Sequence, residues 1–423
     1  METKTVHKIA ANTTYQLIGK VVSMSITILA TILITRLYGR EGYGAFNLMQ
    51  NFPALFFIIA DFGLNAIAAK HLSAHWEDAE KYLGNILLLR ISLSLLLMFG
   101  AGIVLAFFPY SPQLRFGIYL SLFLILTQAM YATTNIVFQV KLRYDLSTVG
   151  YILGSFVILG LVAVLGYFHI GISWVNFSYV IGGLVTFFIN IYFIKKLKLN
   201  IQLSVDSDLW RFLLIQSLPL GLMFIFSQVN FKADSILLSM MKLPVWLGLN
   251  NTESVAVYGL PYKIFEVSLV IPTFFMNAVY PVLIRHKLES KAKLKNTFLK
   301  SLGALFLFGL VSGIIGFIFA PLAIKILGGS EFTESILVLK IIMSALFVFY
   351  LTQPIAWLIV TLDKQMYLPF IYLVSAVFNV AANVIFIPKY SFYASSIITV
   401  ASELLILVLL AFFAVKSWKS HYA

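Results

Sequence analysis

The sequence predicts an all-α integral membrane protein, and three observations carry that reading. Apolar residues make up 61% of the 423 and charged residues only 11%, whereas a soluble chain of ordinary composition is about a quarter charged. The apolar residues come in runs of roughly 20, the length a helix needs to cross a hydrocarbon core about 30 Å thick. The runs are continuous rather than alternating, which excludes a transmembrane β-barrel.

Candidate spans cover 14–36, 44–69, 82–108, 114–138, 147–169 and 173–194, then 211–240, 255–284, 298–326, 335–361, 366–388 and 391–415. This makes about twelve helices of membrane-crossing length, and an even number places both termini on one side. The net charge of +13 indicates which side. Lys and Arg gather in one set of short connections: Lys70 and Lys81, Lys141 and Arg143, Lys195, Lys196 and Lys198, and the cluster from Arg285 to Lys300. Lys4, Lys8, Lys416 and Lys419 belong with them, so both termini are expected in the cytoplasm. The same distribution accounts for the basic balance without a nucleic-acid partner. The apolar stretch after Lys8 shows no small-residue cleavage site and reads as a retained first helix. The chain has no cysteine, so disulfides, thiolate metal sites and Cys nucleophiles are excluded.

The longest polar break, KKLKLNIQLSVDSDLWR, runs from Lys195 to Arg211. It divides the chain into an N-terminal six-helix lobe (1–197), a cytoplasmic linker (198–210) and a C-terminal six-helix lobe (211–423). The halves echo one another: at an offset of 212, Gln16, Lys20, Ser23 and Glu41 fall on Gln228, Lys232, Ser235 and Glu253, and GAFNLMQN falls on AVYGLPYK. Parallel repeats with a site at their interface are common in secondary transporters.

Charges inside the spans are costly, roughly 3 kcal/mol each on insertion scales, and so tend to face a partner or a wet cavity. Asn12, Gln16, Lys20, Ser23, Thr27 and Thr31 recur at spacings of four and three, forming one polar stripe on the first span. Ser217, Gly221, Gln228, Lys232, Ser235 and Ser239 form the matching stripe on the seventh. These stripes are expected to line a central cavity between the lobes, with Arg90 and Lys263 adding to its positive wall. The alternative is that each cation snorkels or pairs with a carboxylate and only holds helices together; Lys263 and Glu266, three apart, suit that role. Asp61, Asp234, Glu266 and Glu403 are the acidic candidates for coupling to a proton or sodium ion, with structural pairing as the alternative. Asp234 projects about 200° from Lys232 around the helix and so faces its own lobe. Pro219, Pro261, Pro272 and Pro354 are expected to interrupt four spans.

Nucleotide-binding, HExxH and GxSxG motifs are missing, so no cofactor is expected and any pumping draws on an ion gradient or on the substrate's own. His71 and His75, four apart, lack a third ligand and read as a solvated helix end rather than a metal site.

The stretches TRLYGREGYGAFN, IADFGLNAIAAKHLS, SLPLGLMF and KADSILLSMM followed by AVYGLPYKIFEV together resemble the Wzx-type polysaccharide-biosynthesis flippases of the multidrug/oligosaccharidyl-lipid/polysaccharide (MOP) exporter superfamily. The resemblance runs over essentially the whole chain. It implies a MATE-like pair of six-helix bundles around a cavity that opens alternately to either side. It also implies transfer of an undecaprenyl-diphosphate-linked oligosaccharide across a bacterial inner membrane, for O-antigen, capsule or exopolysaccharide assembly. Glycosyltransferases or a polysaccharide polymerase are implied as partners, and the architecture can work as a monomer. A diphosphate crossing an apolar interior needs cations to replace its hydration; Lys20, Arg90 and Lys232 are the residues assigned to it. A multidrug exporter of the same fold is the rival, but cationic drugs favour carboxylates and this wall is cationic. Lipid II flippases carry two further helices, and a polysaccharide polymerase or ligase calls for a sizeable external loop that this chain lacks.

Overall fold

The computed structural model describes the backbone of residues 2–422 and their side chains except those of 2–14, 17 and 74. Asn12 of the first polar stripe, with Lys4 and Lys8, therefore lies outside the described side chains. The N-terminal half holds α1 (Glu2–Asp61), α2 (Leu64–Ala74), α3 (Ala79–Ala106), α4 (Pro112–Ser121), α5 (Phe123–Val140), α6 (Tyr144–Tyr167) and α7 (Ile172–Lys196). There follow α8 (Ser207–Met240), α9 (Asn251–Ser268), α10 (Val270–Glu289), α11 (Lys291–Leu327), α12 (Ser335–Ser344), α13 (Leu346–Thr361) and α14 (Tyr367–Tyr422). Among the described residues there is no strand.

Helix starts carry the expected local chemistry. Ser111 accepts from the Leu114 N–H ahead of Pro112, Asn250 and Glu253 close a reciprocal capping box, and Ser290 accepts from the Lys293 N–H. These groups satisfy amides that have no intrahelical acceptor. By length and composition, nine helices among the described residues are apolar enough to cross a membrane, or up to ten if α12 and α13, bent by 43°, are one span. The chain is a multi-pass membrane protein.

Two of those runs, Ile18–Ser73 and Tyr367–Tyr422, are 56 residues each. At 1.5 Å per residue such a run would be about 84 Å long if straight, far beyond the hydrocarbon core. Within α1 and within α14 the run is broken at a residue outside helical geometry: Gly39 (φ 64°, ψ −166°) and Ser391 (φ 51°, ψ −135°). Glycine takes such a positive φ without the Cβ clash other residues meet. Further breaks fall at Phe62–Gly63 (φ 42° and 71°), Leu122, Leu269 and Ala345, inside stretches that the sequence presents as single spans. Of the four prolines, only Pro272 lies beside a break: it has no N–H for the Ser268 carbonyl, and α9 ends there. Pro219, Pro261 and Pro354 sit inside continuous helices.

The chain forms two compact units, Met1–Ile225 and Phe226–Ala423, and the division falls within α8 rather than in the 198–210 connection. The reason is visible in the packing. In the first unit, Leu64, Leu72, Leu83, Ile86, Val137 and Ile194 form one buried core, and Leu213 of α8 belongs to it. Lys81 donates to Asp206 at 2.9 Å, Asn85 donates to Ser204 at 2.9 Å, and a Cβ on Gly84 would collide with the Gln202 carbonyl. A Cβ on Gly221 would come within 2.6 Å of the Phe62 ring. The polar connection and the first half of α8 are thus pinned to α2 and α3. In the second unit, Gly309 of α11 lets the Phe347 backbone approach closely, Ser335 donates to the Val257 carbonyl at 2.8 Å, and Tyr350 donates to the Ser268 carbonyl at 2.6 Å.

Candidate functional site

Among the described residues, three networks centred on Arg90, Asp234 and Lys232 stand out within the apolar helices, one in the first unit and two in the second. In the first, Arg90 of α3 is fully buried and its guanidinium reaches Asp61 at the end of α1 at 2.6 Å. The same Nη2 donates to Asn65 Oδ1 at 3.1 Å, and Nη1 donates to Thr133 at 3.1 Å. Asn65 also donates to Asp61 at 3.3 Å, so the amide bridges the pair. The break at Phe62–Gly63 turns the chain between Asp61 and Asn65, bringing both oxygens to one guanidinium. Arg90 Nε has no partner among the described residues. The sequence predicts Arg90 on a cavity wall; the structure places it inside the unit, where the Asp61 carboxylate balances its charge and both terminal nitrogens find acceptors.

The second unit holds the converse. Asp234 of α8 is fully buried, and no cation among the described residues pairs with it. Tyr258 of α9 donates to Oδ2 at 2.6 Å, Thr399 of α14 lies 2.9 Å from Oδ2, and Asn383 of α14 donates to Oδ1 at 2.9 Å. Thr399 has a single proton and also lies 2.9 Å from the Ser395 carbonyl, so it serves one acceptor at a time. Ser395 in turn donates to Asn383 at 2.8 Å, and the Asn383 amide also contacts Asn379. Ser391, where α14 breaks, divides the Asn379 and Asn383 segment from that of Ser395 and Thr399. The break folds both parts of α14 onto one carboxylate.

Beside it on α8, Lys232 donates to Glu266 of α9 at 2.6 Å, and Lys263 lies 3.5 Å from the other Glu266 oxygen. Two ammonium groups share one carboxylate, so the cluster carries a net positive charge. It stays partly open, with side-chain exposures of 15% for Lys232, 32% for Lys263 and 33% for Glu266. The other expected residues are dispersed. Lys20 and Gln16 are half-buried on α1, and no described carboxylate lies within ion-pairing distance of Lys20. Ser23 is buried and returns its hydroxyl to the Lys20 carbonyl at 3.0 Å. Gln228 is half-buried and Ser235 buried on α8. Glu403 accepts from Thr352 at 2.6 Å, apart from the Asp234 cage. His71 stacks on the Tyr82 ring and lies 3.5 Å from Asp78. No group of three or more His, Cys, Asp or Glu among the described residues is arranged to hold a metal ion.

The polysaccharide biosynthesis protein family model matches residues 9–287. The chain belongs to that family. Solved structures show which fold the family member adopts here. The lipid II flippase MurJ, in an inward closed conformation, aligns with a TM-score of 0.75 over 97% of this chain and 90% of its own, at 14% identity. An inward-facing multidrug resistance MATE transporter of the MOP superfamily aligns with a TM-score of 0.72 over 95% of this chain and 99% of its own, at 15% identity. A MOP superfamily transporter from Pyrococcus furiosus, described as having a binding pocket of reversed polarity, aligns at 0.69 over 98% and 96%, at 15% identity. No curated protein matches the chain significantly. At these identities the likeness establishes the all-helical fold of MOP superfamily transporters and nothing finer.

Sequence reasoning missed Tyr258, Asn383 and Thr399 as partners of Asp234, and Asn65 and Thr133 as partners of Arg90. The available signal was weak: Asn379, Asn383, Ser395, Thr399 and Ser402 give α14 polar residues at spacings of three and four on both sides of the break. That pattern marks a polar helix face, but it does not name the carboxylate the face serves.

Proposed function

We propose that the protein is a flippase that moves an undecaprenyl-diphosphate-linked oligosaccharide from the cytoplasmic to the outer leaflet of a bacterial inner membrane. The single observation that favours this reading is the Lys232–Glu266–Lys263 cluster in a member of the polysaccharide biosynthesis family. It is a half-open, net-positive group on helices of membrane-crossing length. A diphosphate that leaves water needs charge-assisted donors to replace its hydration, and an ammonium shared between Glu266 and the substrate can supply them. Lys20, with no described carboxylate partner, is the second cation assigned to the diphosphate. Arg90 is assigned instead to holding α1 and α3 together through Asp61.

Alternating access then needs a means of return. A buried carboxylate held only by neutral donors is costly when charged, and binding a proton or a sodium ion relieves that cost. Asp234 is accordingly the proposed coupling site, with Asp61 and Glu403 left to structure. In this reading the chain is not an enzyme and works as a monomer. Counting the halves of the two broken runs separately, and α12 with α13 as one span, gives twelve spans, with both termini in the cytoplasm. Glycosyltransferases and a polymerase would be its partners in surface polysaccharide assembly.

Reconstituted flipping of a diphosphate-linked oligosaccharide tests the reading. Lys232→Ala and Lys20→Ala are expected to abolish most of the flux while the proteins remain folded. Full flux in both variants would remove the cationic assignment. Absence of wild-type flux under imposed proton and sodium gradients, together with export of cationic drugs, would favour the multidrug exporter suggested by the MATE-like fold.

A further inference from the structure

The first unit contains a cavity of about 190 Å³, set among α1, α5, α6 and α7 and separate from the Arg90 pair. Thr27, Gln128 and Tyr151 on its lining are exposed, so it opens to the molecular surface. Among the described residues its lining includes no Lys, Arg, His, Asp or Glu. Its polar side chains are all neutral: beside four Ser and Thr hydroxyls that donate to carbonyls of their own helices, they are the amides and phenols of Gln50, Gln128, Tyr131, Tyr151 and Tyr179. Tyr131 and Tyr151 stack with ring centroids 5.9 Å apart and planes 26° from parallel. Gln50 is held from behind: its amide donates to Asn176 at 2.6 Å, and Asn176 donates to Ser121 at 2.6 Å. Gly154 and Gly182 let α6 and α7 pack closely behind the cavity: a Cβ on either would lie within 3 Å of the other's carbonyl oxygen.

The chemistry of this lining restricts what fits. A charged ligand would lose hydration with no counter-charge to replace it. A prenyl or acyl chain would bury the glutamine amides and phenol hydroxyls without partners, which costs as much per group as a lost hydrogen bond. A neutral polyol satisfies both conditions. Its hydroxyls both donate and accept, as do the glutamine amide and the tyrosine hydroxyl, and the C–H face of its ring can lie on an aromatic face. The volume accommodates many water-sized units and is on the scale of one pyranose ring rather than a whole repeat unit.

We propose that this pocket binds one neutral sugar ring of the transported oligosaccharide. The inference rests on the flippase reading for its substrate, but the pocket and the cationic cluster share no residue. Sugar recognition is thereby separated from diphosphate recognition within one chain.

The test uses the full-length protein in nanodiscs and two independent probes. Saturation-transfer NMR is recorded with a free hexose, an N-acetylhexosamine and a 6-deoxyhexose, and binding of sugar-free undecaprenyl diphosphate is measured separately. At least one sugar is expected to show transfer to its ring protons, with affinity about tenfold weaker in Gln128→Ala and in Tyr151→Ala, the usual loss for one good contact. Tyr151→Phe, which keeps the ring, is expected to lie between, and it reports on folding. The lipid diphosphate should bind these variants as it binds wild type and should weaken in Lys232→Met. No transfer to any of the three sugars in wild type, or equal transfer in wild type and both alanine variants, overturns the pocket assignment. Sugar binding without diphosphate binding would overturn the flippase reading and leave the pocket as a saccharide site.

Discussion

The two units handle a buried charge in opposite ways. In the first, Arg90 is met by Asp61 at 2.6 Å and by two neutral acceptors. In the second, Asp234 is met by a phenol, a hydroxyl and an amide, and by no described cation. A buried ion pair is closed: its charge is balanced inside the fold, and it changes little unless one partner is removed. A buried carboxylate surrounded by neutral donors is open to exchange, since a proton or a small cation can take the place a counter-ion would fill. On the proposed reading, what surrounds each charge distinguishes a structural one from one that serves transport, although both are equally buried.

The most damaging test of this contrast is Arg90→Ala. It leaves Asp61 without its cation and is expected to cost about 3–5 kcal/mol, read as a fall in thermal unfolding temperature in detergent. The neutral double variant Arg90→Gln with Asp61→Asn should recover most of that loss. If the single variant unfolds like wild type, the pair is not a structural clamp. Asp234→Asn makes the complementary case. It keeps the shape and should cost about 1 kcal/mol, the scale of one hydrogen bond. Flipping by this variant should no longer respond to imposed proton or sodium gradients. A gradient response equal to that of wild type would place coupling elsewhere, and an unfolding penalty as large as that of Arg90→Ala would erase the contrast.

A smaller stability effect is expected for Lys232→Met, about 1 kcal/mol or less for a partly exposed pair, because Lys263 still neutralises Glu266. Its effect should instead fall on the affinity for a lipid diphosphate, measured by direct binding. Unchanged affinity would return Lys232 to a purely structural role. The mildest prediction concerns the clamp at the start of α8. The Lys81 ammonium donating to Asp206 holds that carboxyl below its ordinary range, helped by the Leu209 backbone N–H. A carboxylate whose pKa is lowered by folding stabilises the fold at neutral pH, and the contribution is lost as pH falls through the lowered folded value. The small difference in unfolding temperature between wild type and Lys81→Ala should therefore be present at pH 7 and vanish in strong acid. A difference that persists in acid would show that the lysine acts through packing instead.

Part of this arrangement was legible beforehand. Lys232, Lys263 and Glu266 stood out as charges within apolar runs, and Lys263 and Glu266 are close enough in sequence for helical spacing to pair them. Arg90 and Asp61 stood out too, but they are 29 residues apart and on different helices, so the reading of Arg90 as a cavity residue and of Asp61 as a coupling candidate had no local signal against it. The same holds for the break at Ser391, which is an ordinary serine in the sequence and in the structure carries a positive φ. The division within α8 was equally hidden: the polar linker is the obvious compositional boundary, yet Leu213 and Gly221 tie the helix beyond it to the first unit.

The sequence by itself determined the class of the molecule, the apolar runs and which charges lie inside the runs. Composition and short-range periodicity are local properties, and membrane insertion acts on them segment by segment. Only the tertiary structure decided that Asp61 belongs to Arg90 while Asp234 is held by Tyr258, Asn383 and Thr399. A helical period specifies which face of a helix a side chain occupies, and the group waiting on the opposite face is set by how distant helices pack.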